Sequence, residues 1–236
     1  MQTITEVSLK NCIIENSEHF THFLDRLVKS LELETLAISH CCFKDETFEQ
    51  LINTLIICPT LTWLFLSHNK LDDKHAKFIV NKFSYFRSLA CLNLTGNAIT
   101  EIGLSLICDN IYKCATLTKF VMECPSFNNI KERISSNLDI NKQRIEKFHA
   151  AIMRGDSSEY KFALGFYPTL IDSYHNDTFI LHTLVSNQKY INVLVKFLEL
   201  KPSPYHTDIN YSKMALDYAI DDNKCILINY IASYAL

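Results

Sequence analysis

His40, Cys41 and Cys42 stand side by side, and His68 follows His40 by 28 residues. A thiol activated by an adjacent imidazole is a nucleophile, and two imidazoles within reach of each other can share a metal ion. This spacing serves neither chemistry well. Neighbours on an extended strand point to opposite faces, which sets His40 and Cys41 against hydrogen-bonding each other. The histidines also lack a third ligand, because Asn11 and Gly96 hold the flanking positions of their column. Catalytic zinc takes three protein ligands and an open position. No G-x-S-x-G elbow and no H-E-x-x-H pair occurs in the chain. The four glycines are scattered rather than clustered as a phosphate-cradling loop requires. The sequence therefore predicts no catalytic residues, no metal and no cofactor. The rival reading from the enzyme class is a cryptic cysteine- or histidine-dependent site. Trp63, the only tryptophan, and Phe65 offer a different chemistry, since an aromatic pair bordered by small polar residues suits protein recognition.

The elements that position these residues follow from a repeat. Segments starting at Leu33, Leu61, Leu89 and Leu117 align at a spacing of 28, reading LETLAISHCCF, LTWLFLSHNKL, LACLNLTGNAI and LTKFVMECPSF. A fifth copy, ITEVSLKNCII, begins at Ile4, 29 residues before Leu33. The shared pattern is L-x-x-L-x-L-x-x-N/C-x-L, with Cys12, Cys41, Asn69 and Asn97 in the N/C column and Pro125 there in the last copy. This resembles the leucine-rich repeat, and its length is similar to the ribonuclease-inhibitor-type class. Strand alternation places the L-x-L residues inward and those between them outward. Apolar residues four apart then follow, such as Leu51 and Leu55, Ile79 and Phe83, or Ile107 and Ile111, which is helical spacing. Parallel strands are expected near 7–9, 36–38, 64–66, 92–94 and 120–122. A small side chain in the N/C column satisfies backbone groups in the turn after each strand, which gives Cys12 and Cys41 a structural role. The resemblance implies a concave face built from the outward residues. On it Glu6, Thr35, His40, Trp63, Phe65, Ser67, His68 and Asn93 are the candidate partner-binding residues.

The pattern changes after residue 127. Ile130, Ile134 and Leu138, spaced four apart, predict a capping or connecting helix over 128–146 that packs on the last repeat. FHAAIMRGD from Phe148, LHTLVSNQK from Leu181 and LDYAIDDNK from Leu216 then recur at spacings of 33 and 35. These copies resemble the ankyrin repeat. The resemblance implies about three helix-turn-helix units over 147–236, with His149 and His182 as structural hydrogen-bonding residues. The turn glycine remains only as Gly155, with Gln188 and Asn223 in its place in the later copies. The last run, ILINYIASYAL, carries Ile226, Leu227, Tyr230 and Ile231, and a homodimer through these C-terminal helices is a further expectation.

Composition bounds the setting. Of 236 residues 48% are hydrophobic and 21% charged, ordinary for a folded globular chain. With 23 basic and 26 acidic residues the net charge is −3, which lacks the basic excess that drives nucleic-acid binding. Nine cysteines without a C-x-x-C pair point to free thiols in a reducing compartment. The opening MQTITEVSLKNC carries no basic region followed by an apolar one, so no secretory signal is expected, and no stretch is long enough to insert in a membrane. The expected architecture is an α/β leucine-rich repeat solenoid over 1–127, parallel strands concave and helices convex, joined through 128–146 to an all-α ankyrin-like domain. The expected function is non-enzymatic protein–protein interaction in a cytoplasm. The combination of the two modules resembles effectors that intracellular bacteria deliver by type IV secretion into the host cytosol, which implies a host protein as partner. A eukaryotic cytosolic adaptor is the alternative.

Overall fold

The computed structural model describes residues 4–14, 18–30, 32–123, 128–176, 178–187, 190–203, 206, 215 and 229. Contacts divide the chain into two compact units, Met1–Gln143 and Arg144–Leu236.

In the first unit the chain alternates between extended and helical elements. These are β1 (Glu6–Lys10), β2 (Ile13–Ile14), α1 (Glu18–Lys29), β3 (Thr35–Ser39), β4 (Cys42–Phe43), α2 (Asp45–Leu55), β5 (Trp63–Phe65), α3 (Asp73–Lys82), β6 (Cys91–Asn93), α4 (Glu101–Asn110) and β7 (Lys119–Val121). Short 3₁₀ turns, Phe83–Tyr85 and Ile111–Lys113, extend α3 and α4. Five strands form one sheet in the order β1-β3-β5-β6-β7. Every pairing in it is parallel, with Val7 beside Leu36, Leu36 beside Leu64, Leu64 beside Leu92 and Leu92 beside Phe120. β2 and β4 add a separate two-residue parallel pairing. The later strands begin one residue ahead of the expected 64–66, 92–94 and 120–122.

Alternation explains which face is buried. Leu36, Ile38, Leu64, Leu66, Leu92 and Leu94 are fully buried and share one core with Leu51, Ile52 and Leu55 of α2, Ile79 of α3 and Ile107 of α4. Each such side chain contributes about 1.5–3 kcal/mol by leaving water.

Two rows of small polar side chains tie neighbouring turns together. After the strands, the Asn69 Oδ1 accepts from the Cys41 amide at 2.8 Å and its Nδ2 donates to the Ile38 carbonyl at 2.7 Å. Asn97 does the same one unit on: its Oδ1 accepts from the Asn69 and Leu71 amides, and its Nδ2 donates to the Leu66 and Leu94 carbonyls, all within 2.8–3.1 Å. The Cys41 Sγ accepts from the Cys12 amide at 3.3 Å. At the opposite ends of the strands, the hydroxyls of Thr60, Ser88 and Thr116 donate to the carbonyls of Leu33, Pro59 and Leu89 at 2.8–2.9 Å. Both rows meet the demand that buried backbone groups be paired.

α5 (Asn128–Arg154) runs unbroken past residue 146, where the sequence suggested a cap would end. Its first part belongs to the first unit: Ile130, Ile134 and Leu138 join that unit's core. On the same stretch Asn137 donates to the Cys108 carbonyl, and Asn141 donates to the Cys114 and Leu117 carbonyls at 3.0 and 2.9 Å. These amides satisfy carbonyls near the end of α4, just past its 3₁₀ turn and ahead of β7.

The second unit continues from α5 through α6 (Ser157–Phe166), a 3₁₀ turn over Pro168–Asp172, β8 (Tyr174–His175), β9 (Thr178–Phe179), α7 (Ile180–Val185) and α8 (Ile191–Leu198). Gly155 takes φ +73° after α5. There the Gly155 amide donates to Ile152 and the Asp156 amide to Ala151, closing the helix with a left-handed residue that glycine adopts without strain. Asp156 then caps α6 by accepting from the Glu159 amide. β8 and β9 form an antiparallel hairpin, a departure from the all-helical second half expected. His149 is buried, with its Nε2 2.9 Å from the Ser173 hydroxyl and its ring 5.3 Å from that of His175. The expected third copy from Leu216 and the apolar residues Ile226, Leu227, Tyr230 and Ile231 lie outside the described residues.

Candidate partner-binding face of the parallel sheet

The sheet register sorts the candidate residues into rows. One row crosses all five strands as Glu6, Thr35, Trp63, Cys91 and Lys119, and the next as Ser8, Ala37, Phe65, Asn93 and Val121. Adjacent members sit about 4.8 Å apart, the spacing of paired strands. Glu6, Thr35 and Trp63 are therefore consecutive in one row, and Phe65 and Asn93 are neighbours in the other.

Trp63 and Phe65 are half-buried rather than fully outward. Their register neighbours Thr35, Ala37, Cys91 and Asn93 are all smaller, so both rings stand above the side chains beside them. Charge is confined to the outer strands, where Glu6, Lys10 and Lys119 are exposed. β3, β5 and β6 carry no charged residue. The middle of this face is aromatic and uncharged, with charge at its two ends.

Three candidates have roles the spacing alone did not disclose. The Asn93 Oδ1 accepts from the Thr95 amide at 2.9 Å, which ties this side chain to its own turn. His40 and His68 lie just beyond β3 and β5 at φ +54° and +57°, in the column where Asn11 takes +58° and Gly96 +69°. They are turn residues in the left-handed conformation. Their exposed rings stack in parallel at 4.7 Å with 4° between the planes, and the His68 ring covers Gly96, where an added Cβ would come within 2.1 Å of its Nδ1. Ring nitrogens point within the ring plane, so two parallel stacked rings do not converge on one ion. Ser67, half-buried, precedes His68 in the same turn. Among the described residues no three His, Cys, Asp or Glu side chains are placed to hold a metal.

Cys91 corrects the reading of its row as outward, for it is only 4% exposed between Trp63 and Lys119. A thiol flanked by longer side chains is covered by them. Burial also pushes the Cys91 thiol up, as it does those of Cys41 and Cys108. It drives Cys58 and Cys114 up to about 12. All seven described cysteines are free thiols. A raised pKa removes the thiolate that a nucleophile needs. The Cys41 Sγ is moreover engaged with the Cys12 amide and the Ser39 carbonyl, on the buried side of the strand end.

Away from the sheet, His75 is a cap residue that the sequence gave no reason to single out. Its Nδ1 lies 2.7 Å from Asp72 Oδ1, and its Nε2 lies 3.6 Å from Asp45 Oδ1 beside a cavity of about 110 Å³ lined also by Phe48, Glu49 and Phe78. Asp72 and His75 exchange backbone and side-chain hydrogen bonds across the first turn of α3, which fixes that helix start.

No family model and no curated protein matches the chain. Among solved structures it is similar to the actin-binding site 2 of leiomodin-1, with a TM-score of 0.55 over 65% of this chain and 89% of that one. The identity is 16%, so the likeness is one of fold. No helix among the described residues is long and apolar enough to cross a membrane.

Proposed function

We propose that this chain is a non-enzymatic protein-binding module whose first unit is a leucine-rich-repeat scaffold and whose second is ankyrin-like. Its main contact is the open sheet face centred on Trp63 and Phe65. The observation that carries the reading is the pairing of these two aromatics on one short strand, flanked on both sides by small uncharged residues. The similar solved structure is named for an actin-binding site, which makes a protein surface a reasonable occupant here as well. The raised thiols of Cys41, Cys58, Cys91, Cys108 and Cys114 and the turn roles of His40 and His68 weigh against a cysteine- or histidine-dependent enzyme built on those residues. The resemblance of the paired repeat types to type IV effectors makes host cytosol the first place to look for the partner. Capture from host lysate with wild-type and Trp63→Ala baits tests the reading. Proteins retained by the first and lost from the second support it, and identical sets from both baits defeat it.

A further inference from the structure

Five large apolar side chains recur on the surface of the first unit: Val28, Ile57, Tyr85, Tyr112 and Ile140, each between 37% and 60% exposed. They follow one another at 29, 28, 27 and 28 residues, so they hold nearly the same place in successive units. Val28 lies in the last turn of α1, Ile57 follows α2, Tyr85 and Tyr112 lie in the 3₁₀ turns that extend α3 and α4, and Ile140 lies in the middle of α5. The first four lie at or just past the C-terminal ends of α1 to α4, the rim opposite the turns that hold His40 and His68, and Ile140 holds the matching place within the longer α5. Helices α1 to α4 pack in sequence, and the two 3₁₀ turns touch each other, which sets the members from Val28 to Tyr112 on neighbouring elements. Single exposed apolar residues need no explanation, but one at the same place in five consecutive units does.

Lysines adjoin three members of the row, and one exposed carboxylate, Asp25, lies a helical turn before Val28. Lys29, Lys82 and Lys113 adjoin Val28, Tyr85 and Tyr112, and none of the three is ion-paired among the described residues. The Lys82 ammonium lies 5.8 Å from the ring centres of Phe78 and Tyr85. The carboxylates nearest in sequence to Tyr112 and Ile140, those of Asp109 and Asp139, are held by Arg133 and Lys142. Lysines at helix C-termini complement the helix dipole, but that accounts for no apolar side chain beside them.

From this geometry we infer that the rim binds an acidic amphipathic helix of a protein partner. Its apolar residues recur every seventh position and seat on the exposed row, and its carboxylates meet Lys29, Lys82 and Lys113. The spacing fits. Packed helices lie about 8–10 Å apart, and seven residues of an α-helix advance about 10.5 Å. This site is separate from the sheet face, and its test separates the two.

The probe is a labelled synthetic helix of four heptads with leucine at every seventh position and glutamate on both flanks. Its control has lysine in place of glutamate. Anisotropy titration of the full chain should show the acidic helix binding at least about ten-fold tighter than the control. Ile57→Ser with Tyr85→Ser should weaken it about ten-fold. Lys82→Glu with Lys113→Glu should do the same, and this charge pair carries the test if the apolar variant melts early. Trp63→Ala should leave the acidic helix bound as in wild type. Wild-type affinity in a folded charge-reversed variant overturns the inference, as does equal affinity for both peptides. So does sedimentation with phosphatidylserine vesicles that depends on Tyr85 when the acidic helix does not bind.

Discussion

The two units bury polar side chains by different means. In the first, Asn69, Thr60, Thr62, Ser88, Thr116 and Asn141 are buried and neutral at any ordinary pH, with Glu34 the one carboxylate among the buried residues described there. Several of them bond backbone roughly one unit away in sequence, so one device is repeated along the stack. In the second, the buried polar groups include His149, His182, His206 and Asp172. His149 is pushed down to about 3 by burial and by the neighbouring His175. A neutral row adds no pH dependence of its own. A buried imidazole makes it depend on pH, because the folded state refuses a proton that the unfolded chain accepts.

The largest break in this contrast should come from Asn97→Ala. That amide satisfies four backbone groups, and leaving several of them without partners should cost the first unit about 3 kcal/mol or more. Hydrogen exchange should show the loss at amides 66–97 and leave those of 148–198 protected. Equal loss in both halves would show that the row does not confine its effect to its own unit.

Acidification should strike the other half. The folded His149 titrates near 3 against 6.5 for an unperturbed histidine, so its contribution is intact above pH 6.5 and is lost progressively as pH falls toward 3. The slope is about 1.4 kcal/mol per pH unit, or about 2 kcal/mol between pH 7 and pH 5. His149→Gln should flatten that slope in urea melts followed through second-unit amides. A slope that survives the substitution would place the proton elsewhere.

Two glycines sharpen the comparison further. At Gly155 an added Cβ meets nothing nearer than 3.7 Å, so Gly155→Ala reads the positive φ alone, about 1 kcal/mol. Gly96→Ala also displaces the His68 ring and should cost about 1 kcal/mol more. In a His68→Ala background the two substitutions should cost the same, as measured by thermal melts. The smallest effect is kinetic: iodoacetamide with peptide mapping should label exposed Cys42 well before Cys58 or Cys114, and a fast Cys58 would contradict its burial.

The 28-residue register made the strands and the Asn69–Asn97 row legible, because both repeat a residue type at a fixed place. The same register carries further signals. Thr60, Ser88 and Thr116 repeat at 28, directly before the leucines that start each copy, and mark the second row of hydrogen bonds. Asn11 and Gly96, the two residue types that tolerate positive φ, bracket His40 and His68 and point to left-handed turns rather than to a free recognition column. Cys91 was not legible as buried, since strand alternation gives direction but not the height of the neighbours. The hairpin of β8 and β9 was hidden because two residues per strand leave no period to detect.

On the proposed reading, the Trp63–Phe65 face supplies the main binding energy. Titrating a captured and purified partner against wild type and Trp63→Ala, with thermal melts as the folding control, tests it most directly. The account predicts a loss of about 2 kcal/mol, roughly thirty-fold in Kd, with Tm nearly unchanged. Phe65→Ala should follow closely, and His68→Ala should lose less. An unchanged Kd for Trp63→Ala, in a protein that melts as wild type does, would contradict it.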